Sequence, residues 1–145
     1  MALQSWSKNR SVATLNKQEP MLVEGYASLF GVADASGDVV RAGAFARSLR
    51  VGPVPMLLQH KARAIVGRWS RIVEDSRGLF VRGLIESPAA QNLVRVSGVD
   101  GLSIGFRPRL WSSRRPYGRL LADIELVEIS LVAEPMLKTA RFVVV

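Results

Sequence analysis

The chain has 145 residues, with 20 lysines and arginines against 12 aspartates and glutamates, a formal charge of +8; that length fits one domain. Hydrophobic residues make up 48% and charged residues 22%, which is enough to bury a core and too apolar for a disordered chain. There is no cysteine and one histidine, which excludes a disulfide scaffold, a thiol enzyme, a thiolate zinc module and a histidine-rich metal site, so neither a metal nor a cofactor is expected.

Residues 1–20 mix polar and small side chains without periodicity and end at Pro20, which predicts a loosely ordered leader, followed by a single domain over 21–145. No apolar run approaches the roughly 18 residues of a membrane span, and the leader lacks the apolar core of a secretory signal. A soluble intracellular protein with no membrane partner is therefore expected. MLVEGYASLF, from Met21, reads as a strand closed by the turn-forming stretch GVADASGD, with a second short strand over Val39–Arg41. AFARSLR places Phe45 and Leu49 four residues apart, which predicts a short helix stopped by Gly52-Pro53.

PMLLQH is a short apolar run ending at His60, and Ala64–Val73 with Gly78–Glu86 reads as a hairpin. PAAQNLVRVS opens with proline and stops at Gly98, as a helix does. A strand follows through VDGLSIGFRPRLW, a polar turn through SSRRPYG, and a long strand over Arg119–Val132. Strands outnumber helices and the turns are short. The expected class is mainly β with short helices (α+β), an antiparallel β-barrel or sandwich rather than a doubly wound α/β sheet.

Gly101-Leu102-Ser103-Ile104-Gly105 matches G-x-S-x-G, a pattern in which small neighbours leave a serine hydroxyl exposed on a sharp backbone. The α/β-hydrolase fold that uses this pattern is excluded, because the only histidine precedes the serine and the chain is too short. A strand with a bend is the ordinary reading of such glycines. If Ser103 is a nucleophile it needs a base, and His60 is the one side chain whose unperturbed titration lies near neutrality; Lys61 and Lys138 are the alternatives. Folding the last two long strands about Pro116-Tyr117 places Ser103 opposite a residue near Ser130, with Glu128 diagonally across on the same face. A slip of one residue would bring Glu125 or Val127 forward instead. Asp34 and Asp38 read as turn residues rather than a calcium loop. Between Gly101 and Leu121 the charged side chains are all arginines (107, 109, 114, 115 and 119), a solvated hairpin or a contact for phosphates or an acidic protein.

Four ordered blocks, VEGYASLFGVADASGDVVRAGAF, VPMLLQH, DGLSIGFRP and VEISLVAEP, span Val23–Pro135. This series resembles the prohead proteases of HK97-like tailed phages and their equivalents in prophages and gene transfer agents. The resemblance implies a fold related to the herpesvirus assemblin protease, a β-barrel surrounded by helices. It also implies a serine endopeptidase with His60 and Ser103 as catalytic pair. Assemblins use a second histidine, which this chain lacks, and Glu128 is the substitute. The implied partner is the major capsid protein precursor, whose scaffolding segment is cleaved, together with the protease itself and possible self-association. The implied location is the procapsid interior, within the bacterial host cytoplasm. Backbone amides, with help from Arg107, are the expected oxyanion donors. The rival expectation is a non-catalytic basic assembly factor or a nucleic-acid-binding β-barrel. Phe106, Trp111 and Tyr117 are too few to make a base-stacking face, so nucleic acid is not expected as a partner, and the positive charge is read as attraction to an acidic scaffold or shell interior.

Overall fold

The computed structural model describes residues 18–145; the expected leader lies outside them except for residues 18–20. Eight strands form one sheet: β1 (Met21–Leu29), β2 (Val39–Val40), β3 (Pro55–Leu58), β4 (Lys61–Glu74), β5 (Gly78–Ile85), β6 (Gly101–Ser113), β7 (Arg119–Val132) and β8 (Phe142–Val144). Among the described residues one α-helix, α1 (Pro88–Ser97), joins β5 to β6. It begins where the sequence predicts: the Ser87 hydroxyl accepts from the Ala90 amide, Pro88 needs no amide partner in the first turn, and Gly98 closes the end at φ +68°.

The helix expected over AFARSLR is not formed. That stretch is a series of turns ending in a 3-10 turn at Ser48–Arg50. Phe45 is fully buried, so the segment is fixed by tertiary packing rather than by helix geometry, and the Ser48 hydroxyl accepts the Leu126 amide at 2.8 Å. The second short strand stops at Val40 and pairs parallel with β7, and β3 does the same. The sheet is therefore mixed rather than antiparallel throughout. Residues 142–144, whose strand the sequence pattern did not announce, add to the edge of β1 as β8.

The strand order runs β2 and β3 on one edge of β7, then β4, β5, β1 and β8, with β6 on the other edge of β7. The expected barrel is not closed by a ladder: among the described residues β6 meets the β8 side through an isolated bridge from Gly101 to Arg141, the Leu102 amide on the Ala140 carbonyl (2.9 Å) and the Phe142 amide on the Asp100 carbonyl (2.9 Å). The core lies inside this nearly closed sheet, where Val23, Phe45, Met56, Leu79, Val81, Ile85, Leu102, Leu121, Ile124, Ile129 and Leu131 are fully buried. Period-two alternation explains which residues point there.

The β6–β7 ladder carries three irregularities. The pairing runs Ser113↔Arg119 near the turn and Gly105↔Glu128 at the far end. One of the irregularities leaves Val127 without a partner between Phe106↔Leu126 and Gly105↔Glu128, a β-bulge that displaces everything beyond it. On the other side of β6, the Leu102 amide points away from β7 to Ala140. By alternation the backbone groups of Ile104 and Phe106 point the same way, and β6 has no ladder partner there. Pro108, with no amide to offer, sits further along this free edge, where a proline is tolerated.

Candidate active site

Beyond the bulge the ladder pairs Leu102↔Leu131, Ser103↔Ser130, Ile104↔Ile129 and Gly105↔Glu128. Leu102, Ile129 and Leu131 face the core, so Ser103, Ser130, Gly105 and Glu128 share the opposite face. The register expected from the sequence is the one observed. All three polar side chains are nevertheless buried (Ser103 4%, Ser130 0%, Glu128 6% exposed). Leu57, aligned with Ser130 on β3, also presents a buried apolar side chain there.

His60 reaches this face from the turn between β3 and β4. Leu58 pairs with Lys61, so Gln59 and His60 form a two-residue hairpin loop, with φ of +51° and +61°. This is the geometry of a type I′ turn, which asparagine and glycine favour. Neither is present, and side chains held there cost about 1 kcal/mol or more each. The turn is pinned to β7: the Gln59 amide donates to the Leu131 carbonyl (2.9 Å) and the His60 amide to the Ser130 hydroxyl (3.1 Å). The imidazole Nδ1 then lies 2.7 Å from Glu128 Oε2 and 3.2 Å from Oε1, while the Ser130 hydroxyl donates to Oε1 at 2.8 Å. A carboxylate only accepts, so Nδ1 carries a proton, and in the neutral imidazole Nε2 then presents the lone pair. The histidine side chain is 43% exposed and that of Glu128 8%, which puts the imidazole at the surface and the carboxylate beneath it.

Gly105 explains how the carboxylate fits. A Cβ there would stand 2.8 Å from the Cγ, Cδ and Oε2 of Glu128, closer than real side-chain contacts come. The second glycine of G-x-S-x-G thus makes room for Glu128. The sequence showed this glycine but not its purpose, since that depends on the partner across the ladder. Ser130 was named only as a register mark, and its two hydrogen bonds could not be read from spacing.

The structure brings Ser103, His60 and Glu128 to one face. No hydrogen bond joins the Ser103 hydroxyl to another group among the described residues, and no buried side-chain polar atom among them lacks a partner; the hydroxyl therefore touches solvent. In unliganded hydrolytic sites the contact between nucleophile and base is commonly long and tightens with substrate. A cavity of about 190 Å³ borders Ser103 at the open side of the sheet, lined by Ala27, Leu29, Leu102, Ile104, Phe106 and Leu137 among others.

Of the remaining charged candidates, Asp34, Asp38 and Arg119 line the same cavity. Asp38 is more than a turn residue: it is buried and accepts from the Arg119 amide and guanidinium, at 2.9 Å and 2.6 Å. Arg119 holds its carboxyl below the usual range. Arg107 and Arg109 both pair with Glu125, at 3.5 and 3.6 Å, so Arg107 is engaged by a carboxylate rather than aimed at Ser103. Lys61 is exposed and lacks the burial that a lysine base needs. Among the described residues no group of three or more His, Cys, Asp or Glu side chains is arranged to hold a metal, and no helix is long and apolar enough to cross a membrane.

Comparison with known proteins gives three findings. The family model of the caudovirus prohead serine proteases matches residues 8–145. The prohead protease of Enterobacteria phage HK97 is 36% identical over 124 residues, which are 79% of this chain and 55% of that protein, so the chain spans just over half the length of this curated relative. Among solved structures, the bacteriophage T4 capsid assembly protease is similar with a TM-score of 0.66 at 10% identity, covering 80% of this chain and 88% of that one. The KSHV protease in complex with a hexapeptide phosphonate inhibitor gives 0.55 at 19% identity, covering 86% and 64%. At these identities the structural likeness shows the fold alone.

Proposed function

We propose that this chain, which belongs to the caudovirus prohead serine protease family, is a serine endopeptidase of procapsid maturation working through Ser103, His60 and Glu128. The observation that carries the reading is the 2.7 Å contact between His60 Nδ1 and Glu128 on the same sheet face as Ser103. Glu128 fixes the tautomer and offsets the charge of the imidazolium. His60 Nε2 takes the proton as Ser103 Oγ attacks the scissile carbonyl, then returns it to the departing amine. Water activated by the same nitrogen releases the second product from the acyl-enzyme and regenerates the serine. Backbone amides supply the oxyanion contacts.

The free edge of β6 is where an extended substrate lies. Ile104 and Phe106 offer backbone donors and acceptors immediately beside Ser103, so a peptide can add there as a further strand and bring its carbonyl to the hydroxyl. The substrate is the scaffolding segment of the major capsid protein precursor, with the protease itself as a second substrate, and the reaction takes place inside the procapsid in the host cytoplasm. The family membership supports this choice of partner.

Incubating the purified protein with its major capsid protein precursor tests the reading. Electrophoresis and terminal sequencing of fragments should show discrete cleavage by the wild type and none by Ser103→Ala or His60→Ala, both folded by circular dichroism. Fragments produced by Ser103→Ala at the wild-type rate would remove the serine mechanism. Inert wild type and variants, with the precursor still bound, would favour a non-catalytic assembly factor.

A further inference from the structure

We infer that Ser130 is a positioning residue of the site, a clamp that sets the backbone of His60 and the carboxylate of Glu128 with one hydroxyl. The inference rests on the proposed catalytic roles for its kinetic consequence, but its geometry stands without them. Two serines face each other across the β6–β7 ladder, and their hydroxyls are used differently. That of Ser130 has its proton committed: it goes to Glu128 Oε1, and the oxygen accepts the His60 amide. The residue is wholly buried. Its proton is therefore committed away from the imidazole, and in the proposed mechanism the proton taken by Nε2 is that of Ser103.

The second contact matters because of where His60 sits. Gln59 and His60 occupy left-handed backbone without glycine, so the turn needs an external hold to keep it there. Two hydrogen bonds from β7 provide it, and the one on His60 comes from a side chain rather than from the ladder. The same oxygen that anchors the His60 amide donates to the carboxylate that binds the His60 ring. Backbone and ring of one residue are thus referred to a single atom on a rigid central strand, the arrangement that keeps a reacting nitrogen within tenths of an ångström of its target. Gly105 closes the clamp from the other strand, because any Cβ there would displace the carboxylate.

The test is Ser130→Ala beside Ser130→Thr, which keeps the hydroxyl, in the full chain. The first readout is the downfield proton resonance of the His60 Nδ1–H in protein labelled with ¹⁵N-histidine. The second is the separation of kcat from KM on a cleaved peptide. Ser130→Ala should shift or broaden the resonance and lower kcat by about 10- to 100-fold with KM within about twofold, and Ser130→Thr should restore both most of the way. If Ser130→Ala does not fold, Ser130→Cys, with a weak donor of similar size, should show the same losses. An unshifted resonance with a wild-type kcat in any folded variant lacking the hydroxyl overturns the inference. A shifted resonance in a protein whose wild type cleaves nothing leaves the clamp standing and removes only the protease reading.

Discussion

Glu128 shows how much of the chemistry one side chain decides. Among the described residues its carboxylate is the sole acid in contact with the imidazole; its side chain is 8% exposed and meets two donors at once, His60 Nδ1 and the Ser130 hydroxyl. Replacing it with glutamine keeps the volume but offers an amide that can donate to Nδ1, which favours the tautomer with the proton on Nε2 and leaves no lone pair facing Ser103. Glu128→Gln should therefore fold normally and cleave about 10³-fold more slowly than wild type, with residual activity still above that of Ser103→Ala, as measured by initial rates on one peptide. A rate within threefold of wild type would assign the orienting role to another group. At this scale the sequence was informative: the single histidine, the serine between two glycines and the acid two positions before Ser130 were visible as residue types. What the types did not show was the direction of Arg119, whose place in an all-arginine run hides its buried partner Asp38 some eighty positions earlier.

The turn joining β3 to β4 is the element on which the site depends most. It pairs a short strand in the middle of the sheet with a long one, and it presents His60 because a two-residue connection leaves the loop side chains nowhere else to go. Gln59 is exposed and faces no catalytic group, so its backbone can be varied alone. Gln59→Asn, better suited to φ +51°, should be neutral or stabilising by up to about 1 kcal/mol, whereas Gln59→Ile, branched at Cβ, should cost about 1–3 kcal/mol and depress cleavage together with stability. Urea denaturation of both variants checks this; equal stability would mean that the turn bears no strain. Sequence patterning placed PMLLQH as a short strand but extended it to the histidine, since nothing in local composition marks Gln-His as a tight turn. The same limit applies to AFARSLR, where a four-residue spacing of apolar side chains looked helical although Phe45 is held by burial, and to residues 142–144, too few to carry an alternating pattern of their own.

For the molecule as a whole, the Asp38–Arg119 pair fastens the loop between β1 and β2 to the start of β7. The folded carboxyl titrates below the unfolded one, so the stability it contributes is complete above the ordinary carboxylate range and is lost as the pH falls through the folded value, below about pH 4. Wild type should accordingly melt higher than Asp38→Asn at pH 7, and the gap should close on acidification; a constant difference between pH 7 and pH 3 in calorimetric scans would show that the pair is not coupled to folding. The class and every strand but β8 were legible because alternation is a local property, whereas closure was not, being decided by how far β6 and β8 stand apart. One unpaired residue has the widest reach. If the turn-proximal register ran on unbroken, Val127 would stand across from Gly105, Glu128 across from Ile104 and Ile129, a core side chain, across from Ser103. Were Val127 paired instead of bulged, no residue would change yet the acid and the hydroxyl would turn to opposite sides, whereas removing Val127 would let Glu128 follow Leu126 directly and stay across from Gly105; what the site requires of this stretch is that the extra residue, if there is one, be left out of the ladder.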